Sequence, residues 1–101
     1  MIGIIWTPLG SFARKQAEEQ LEKICKDYTK LNIQYTRMNQ FSVTFDNGDR
    51  WFIVYARPNA RGRRCNVSYI HRNISQNIVK TIIVPITFST PPYHAFYVYG
   101  G

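Results

Sequence analysis

The stretch from Phe41 to Tyr55, FSVTFDNGDRWFIVY, constrains the fold of this chain more than any other. Phe41-Ser42-Val43-Thr44-Phe45 alternates apolar and polar residues, the period of a half-buried strand. Asn47-Gly48 follows, a pair that tolerates positive φ in a two-residue hairpin turn. With those two residues as the loop, Phe45 faces Arg50, Val43 faces Phe52 and Phe41 faces Val54. One face of the predicted hairpin is therefore Phe41, Val43, Phe45, Phe52 and Val54. Trp51, Ile53 and Tyr55 share the opposite face with Ser42 and Thr44, so that side is expected to be partly covered as well.

The remainder reads as a small α/β domain built around this hairpin. Ile2 to Trp6 is a short apolar run ended by Thr7-Pro8-Leu9-Gly10, a buried strand and a turn. No basic segment precedes that run, so it does not read as a signal peptide. Ser11 is placed to cap a helix, in which Ala13, Ala17, Leu21, Ile24, Tyr28 and Leu31 fall on one face. Glu18, Glu19, Glu22, Lys23, Lys26 and Lys30 fill its solvated face. Beyond the hairpin, Ala56 to Arg64 (ARPNARGRR) is a turn-rich basic loop and Cys65 to Ile70 a short strand. Ile74 to Val84 is open: Ser75 can cap a helix through Lys80, whereas β-branched Ile82, Ile83 and Val84 favour a strand. Phe88 to Pro92 reads as a strand end and turn, and Tyr93 to Tyr99 as an aromatic tail that must pack somewhere. At 101 residues the chain has room for one domain, residues 1–101, with one modest core. Apolar runs fall well short of the roughly 20 residues of a membrane span.

Charge is distributed unevenly. From Met1 to Asp49 six bases (Arg14, Lys15, Lys23, Lys26, Lys30, Arg37) balance six acids (Glu18, Glu19, Glu22, Asp27, Asp46, Asp49). From Arg50 onward there are seven bases (Arg50, Arg57, Arg61, Arg63, Arg64, Arg72, Lys80) and no Asp or Glu. Such a half attracts phosphate backbones or an acidic protein face. It also lacks the carboxylates on which most acid–base and metal chemistry depends. Asp46 and Asp49 are explained as turn residues. His71 and His94 stand apart from any carboxylate in sequence, and Cys25 and Cys65 match no zinc or redox spacing. The expected state of both thiols is free and buried in a reducing cytoplasm. The reading is of a chain that is no enzyme and holds no cofactor or metal.

In order, these pieces resemble the middle of the ATPase core of viral (phage) large terminases, the motors that package DNA into capsids, and of their helicase-like relatives. A strand ending at a Thr-Pro turn leads into a Gln- and Ala-rich helix (IIWTPLGSFARKQAEEQLEKI), and a hairpin with an Asn-Gly turn follows. Ala60-Arg61-Gly62 then resembles the loop before the Walker B strand, and Ser89-Thr90-Pro91 the turn that marks the coupling strand. The departures matter more. No G-x-x-x-x-G-K-[ST] phosphate-binding loop occurs in the chain. At the Walker B position His71 and Arg72 stand where an Asp would anchor Mg²⁺ and a Glu would poise water. A neutral imidazole and a guanidinium do neither. The resemblance thus implies a truncated core without ATP hydrolysis, working in the cytoplasm of a host cell. It also implies a bared sheet edge that another strand or a second copy of the chain would cover, and an Arg61 that reaches a neighbouring subunit's nucleotide.

Two binding classes follow. In the first, the chain docks on a nucleic-acid-processing protein and inhibits or regulates it, as an anti-defence inhibitor would. In the second, it binds DNA or RNA itself, or serves as an accessory fragment of a packaging terminase. Both assign contact to Arg57, Arg61, Arg63 and Arg64, with Arg50 and Arg72 adding charge. Tyr69, with Trp51 and Tyr55, would supply rings for stacking, although Trp51 and Tyr55 read more readily as core.

Overall fold

A computed structural model describes residues 1–60, 62–88 and 94–101. β1 (Ile2–Thr7) is followed by α1 (Ser11–Lys30), then β2 (Tyr35–Asn39), β3 (Ser42–Phe45), β4 (Arg50–Tyr55), β5 (Val67–His71), α2 (Gln76–Ile78), α3 (Val84–Ile86) and β6 (Phe96–Tyr99). The strands form one mixed sheet in the order β2-β3-β4-β1-β5-β6. β4, β1, β5 and β6 run parallel, while β3 and β2 continue the sheet antiparallel. The predicted mixed α/β class, with an N-terminal strand, one long helix, a hairpin and further strands, is the fold observed.

A sheet with a parallel centre needs apolar cover on both sides, and two cores supply it. On one side α1 lays Ala17, Leu21, Ile24 and Cys25 over Ile5, Val43, Phe45, Trp51, Ile53, Val67 and Tyr99. On the other, Ile74, Ile82 and Ile83 pack with Ala60 and Cys65 over Ile4, Trp6, Val54 and Ile70. Both cysteines are free and buried, as expected.

The hairpin is present, but its register is one residue away from the predicted one. Val43 pairs with Trp51, Ser42 with Phe52 and Thr44 with Arg50. The loop has three residues rather than two: Phe45 and Asp49 close it through Phe45 N–H to the Asp49 carbonyl at 2.8 Å. Gly48 carries the positive φ of 95°, and Asn47 is not among the residues with positive φ. A slip of one residue turns each side chain of one strand to the other face. Trp51 and Ile53 thereby join Val43 and Phe45 under α1, while Val54 faces the second core. Tertiary contacts hold this register. Trp51 pairs with Gly3 of β1, and a Cβ on Gly3 would lie 2.4 Å from the indole ring. The indole N–H also reaches the Tyr28 hydroxyl of α1 at 3.2 Å.

Other elements depart from the sequence reading in smaller ways. Ser11 is the first helical residue rather than the cap, which is Gly10 without a side-chain bond. Phe12 and Leu31, at the two ends of α1, stay exposed. The ambiguous Ile74–Val84 stretch is helical: Ser75 caps α2, accepting from Ile78 N–H, and a π-helical turn (Val79–Ile83) leads into α3. β5 extends through His71 rather than ending at Ile70. Of the strand end and turn predicted over Phe88–Pro92, Ser89 to Pro92 lie outside the described residues, as does Tyr93, and the tail beyond them supplies β6 at the sheet edge.

Gly3→Ala is expected to lower stability by about 1–3 kcal/mol, because the added methyl must displace a packed indole. Urea denaturation of the two proteins measures it. An unchanged midpoint would mean that Trp51 does not rest on β1.

Candidate functional site

The basic loop is the crossover that carries the chain from the finishing end of β4, over β1, to the starting end of β5. It is pinned at both ends. Ala56 N–H donates to the Thr7 carbonyl at 2.9 Å, and Cys65 N–H donates to the Ile86 carbonyl at 3.1 Å. Between them Pro58–Ala60 forms one 3₁₀ turn whose last residue, Ala60, is buried in the second core. The loop is thus fastened by its small and apolar residues, and Arg57, Arg63 and Arg64 are left exposed.

This path separates the predicted arginines. Arg57 lies at the finishing end of the sheet with its guanidinium 5.1 Å from the Tyr55 ring centre. It lines a groove of about 340 Å³ with Arg63, Asn59, Ala60, Phe41, Ile53, Val54 and Tyr55. Phe41 and Tyr55 stand 6.4 Å apart and tilted by 58°. Arg64 and Arg50 sit at the other end of the sheet, over Phe88 at 5.3 Å and over Phe52 at 5.8 Å. Arg72 follows β5, where its Nε donates to the Gly100 carbonyl at 3.0 Å. Arg61 lies outside the described residues. Among the described residues the ion pairs are Met1 amine to Asp49 and Arg37 to Glu22, so none of the described arginines from Arg50 onward is matched by a carboxylate.

Tyr69 is not part of this site. Residues of β5 alternate between the faces, and Tyr69 falls on the side of α1, stacked on Tyr97 at 4.7 Å and edge-on to Trp51 at 5.6 Å. Burial, with the neighbouring Tyr97 and Asp27, pushes its phenol up. Trp51, 4% exposed, is core for the same reason. Of the residues that line the groove with Arg57 and Arg63, Tyr55 was named as a stacking ring but read more readily as core, and Phe41 and Asn59 were not singled out as contacts. Phe41 comes from the far side of the hairpin, and Asn59 looked like an ordinary turn residue.

His71, at the position that the resemblance equates with Walker B, is 1% exposed. Its Nδ1 accepts from Asn73 N–H at 3.1 Å, so the proton is on Nε2, which donates to the side-chain Oε1 of Gln16 at 2.7 Å. The ring also stands edge-on to Tyr99 at 5.2 Å. It is a neutral imidazole that clamps α1 to the end of β5. Burial lowers its pKa from the usual 6.5. Among the described residues, no three His, Cys, Asp or Glu side chains lie close enough together to hold a metal ion. Nor is any described helix long and apolar enough to cross a membrane.

No protein-family model, no curated protein and no solved structure matches this chain.

The His71 clamp makes stability depend on pH. With a folded pKa below 6.5, the unfolded chain takes up the proton first as pH falls. This contribution is complete above 6.5 and is lost as pH drops below that value toward the folded pKa. Urea midpoints measured at neutral and mildly acidic pH are expected to fall on acidification, and by less in His71→Gln. Equal slopes for the two proteins would rule out the clamp.

Proposed function

We propose that this chain is a non-catalytic binding protein that engages a nucleic-acid-processing complex through its arginine-rich crossover. The observation that carries the reading is the set of guanidinium groups left without carboxylate partners on a loop whose backbone is fixed at both ends. Held this way, the groups are presented with little loop-ordering cost on binding. Their placement at both ends of the sheet suits a broad anionic surface. On this reading the chain docks on an acidic face of a nucleic-acid enzyme and inhibits or regulates it, in the manner of a phage-encoded anti-defence protein derived from a terminase-like core.

The docking reading also uses a strand edge. β6 is an outer strand in which Phe96, Tyr97 and Val98 are exposed. It carries no charged residue to discourage pairing. A partner strand, or β6 of a second copy, would extend the sheet there. The cytoplasm of a host cell is the compartment proposed with it.

One observation favours a second reading, direct contact with DNA or RNA. Arg57 and Arg63 do not stand alone but border a groove walled by Phe41 and Tyr55, and rings beside guanidinium groups are the means by which proteins hold single strands.

Affinity capture from a cell lysate, with and without nuclease, separates the two. Protein docking predicts a complex that survives nuclease and is lost when Arg57, Arg61, Arg63 and Arg64 are changed to Ala. Direct binding predicts a nuclease-sensitive one. Capture that is indifferent to all four arginines would dismiss the crossover as the binding surface.

A further inference from the structure

The groove at the finishing end of β4 combines features that a charged loop alone does not provide. Its floor is apolar and built from the fold itself: it is the end of β4, where Ile53 and Val54 are buried in opposite cores, and Ala60, the buried end of the 3₁₀ turn. Its wall is aromatic, with Phe41 and Tyr55 half-buried and mutually tilted. Its rim is polar: Arg57 and Arg63 are exposed and Asn59 stands beside them. No lining residue carries a carboxylate.

We infer that this groove receives one nucleotide of a single-stranded nucleic acid. The base lies against Phe41, the Asn59 amide meets its polar edge, and the flanking phosphates face Arg57 and Arg63. The inference rests on the nucleic-acid reading of the crossover and names its ligand. Three observations select this chemistry. The two guanidinium groups call for an anion with several oxygens, which phosphate supplies. The rings and aliphatic floor call for a flat, largely apolar body next to that anion. Asp and Glu side chains of an acidic protein have none. The size also fits, since about 340 Å³ is at the small end of ligand sites, enough for one unit of a chain but not for a stacked duplex. Duplex bases have their faces already occupied, whereas a single strand offers a free π-face to an aromatic ring.

The test uses the full chain and a 5′-fluorescein-labelled ten-residue oligothymidylate, followed by fluorescence anisotropy across a salt series. Wild type is expected to bind, with Arg57→Ala combined with Arg63→Ala weakening affinity about tenfold or more and flattening the salt dependence by about 1.4 in log–log slope, two single-strand phosphate contacts' worth. Phe41→Leu keeps an apolar side chain without the ring and is expected to weaken binding about tenfold through lost stacking, with circular dichroism confirming its fold. Should that variant not fold, a 5-iodouracil-containing ten-mer photocrosslinked to wild type is expected to label the peptides bearing Phe41 or Tyr55. An abasic deoxyribose-phosphate ten-mer is expected to compete at least tenfold less well.

Equal competition by the abasic strand would overturn the proposal in favour of a plain polyanion site. Crosslinks elsewhere, or indifference to Arg57 and Arg63, would overturn it too. Absence of any oligonucleotide binding would also refute it, yet would leave protein docking intact, because a nuclease-resistant complex can still depend on the same arginines.

Discussion

The structure depends on β1 being buried on both faces. Ile4 and Trp6 face one core, and Ile5 faces the other. Strands pair with it on both sides, β4 and β5, each parallel. Such a strand cannot be exposed at any point without leaving backbone or apolar surface unsatisfied, so both layers of cover must form. Even the polar groups around it are matched. The Trp6 indole N–H donates to the Ser68 hydroxyl at 3.0 Å, and the Tyr99 hydroxyl donates to the Trp6 carbonyl at 2.7 Å. The latter bond joins the edge strand β6 to the centre of the sheet, and burial drives the Tyr99 phenol far above its usual pKa. Because β4 and β5 flank β1, the chain has to cross it to pass from one to the other. The position of the arginine loop is a consequence of that crossing.

Much of the architecture was legible because it is written in local patterns. The period of α1, the alternation of β3 and the turn residues after it are signals that need no partner. The hairpin register was not legible, and the reason is physical. Asp46-Asn47-Gly48 can make a three-residue loop with positive φ at Gly48 as readily as Asn47-Gly48 can make a two-residue one. The choice between them is made by distant groups. Asp49 is held by the Met1 amine at 3.0 Å and the Tyr28 hydroxyl at 2.7 Å, and Trp51 fits only over a glycine. β2 was missed for a different reason: all five of its residues are exposed, so it carries no buried face to read. In Ile74–Val84 the β-branched residues argued for a strand, but burial of Ile82 and Ile83 against the sheet overrides that preference.

For the candidate site, composition revealed the charge but not its arrangement. Four arginines close together in sequence suggest one patch. A crossover spans the height of the sheet, however, so Arg57 and Arg64 end at opposite edges. Convergence came from elsewhere: Phe41 is brought to Arg57 by hairpin pairing, its carbonyl accepting from Ile53 N–H at 2.7 Å. Tyr69 illustrates the converse. It is near the loop in sequence but packs on the α1 side of the sheet, because a single step along β5 reverses the face.

The partition of charge between the two sides of the sheet bears on how such a site would work. Glu18, Glu19, Glu22 and Asp27 belong to α1, on the side away from the crossover. A ligand at the groove meets a lining that includes Arg57 and Arg63 and no acidic residue. What it meets is local: guanidinium groups with no acid in the sequence after Asp49 to neutralise them. Arg57 lies along the Tyr55 ring, an arrangement worth about 0.5–1 kcal/mol at an exposed site, which orders the guanidinium without consuming its charge. A carboxylate in the same place would have ordered it too, but would have cancelled the field. Aromatic support in place of ionic support thus leaves the Arg57 guanidinium both held and positive.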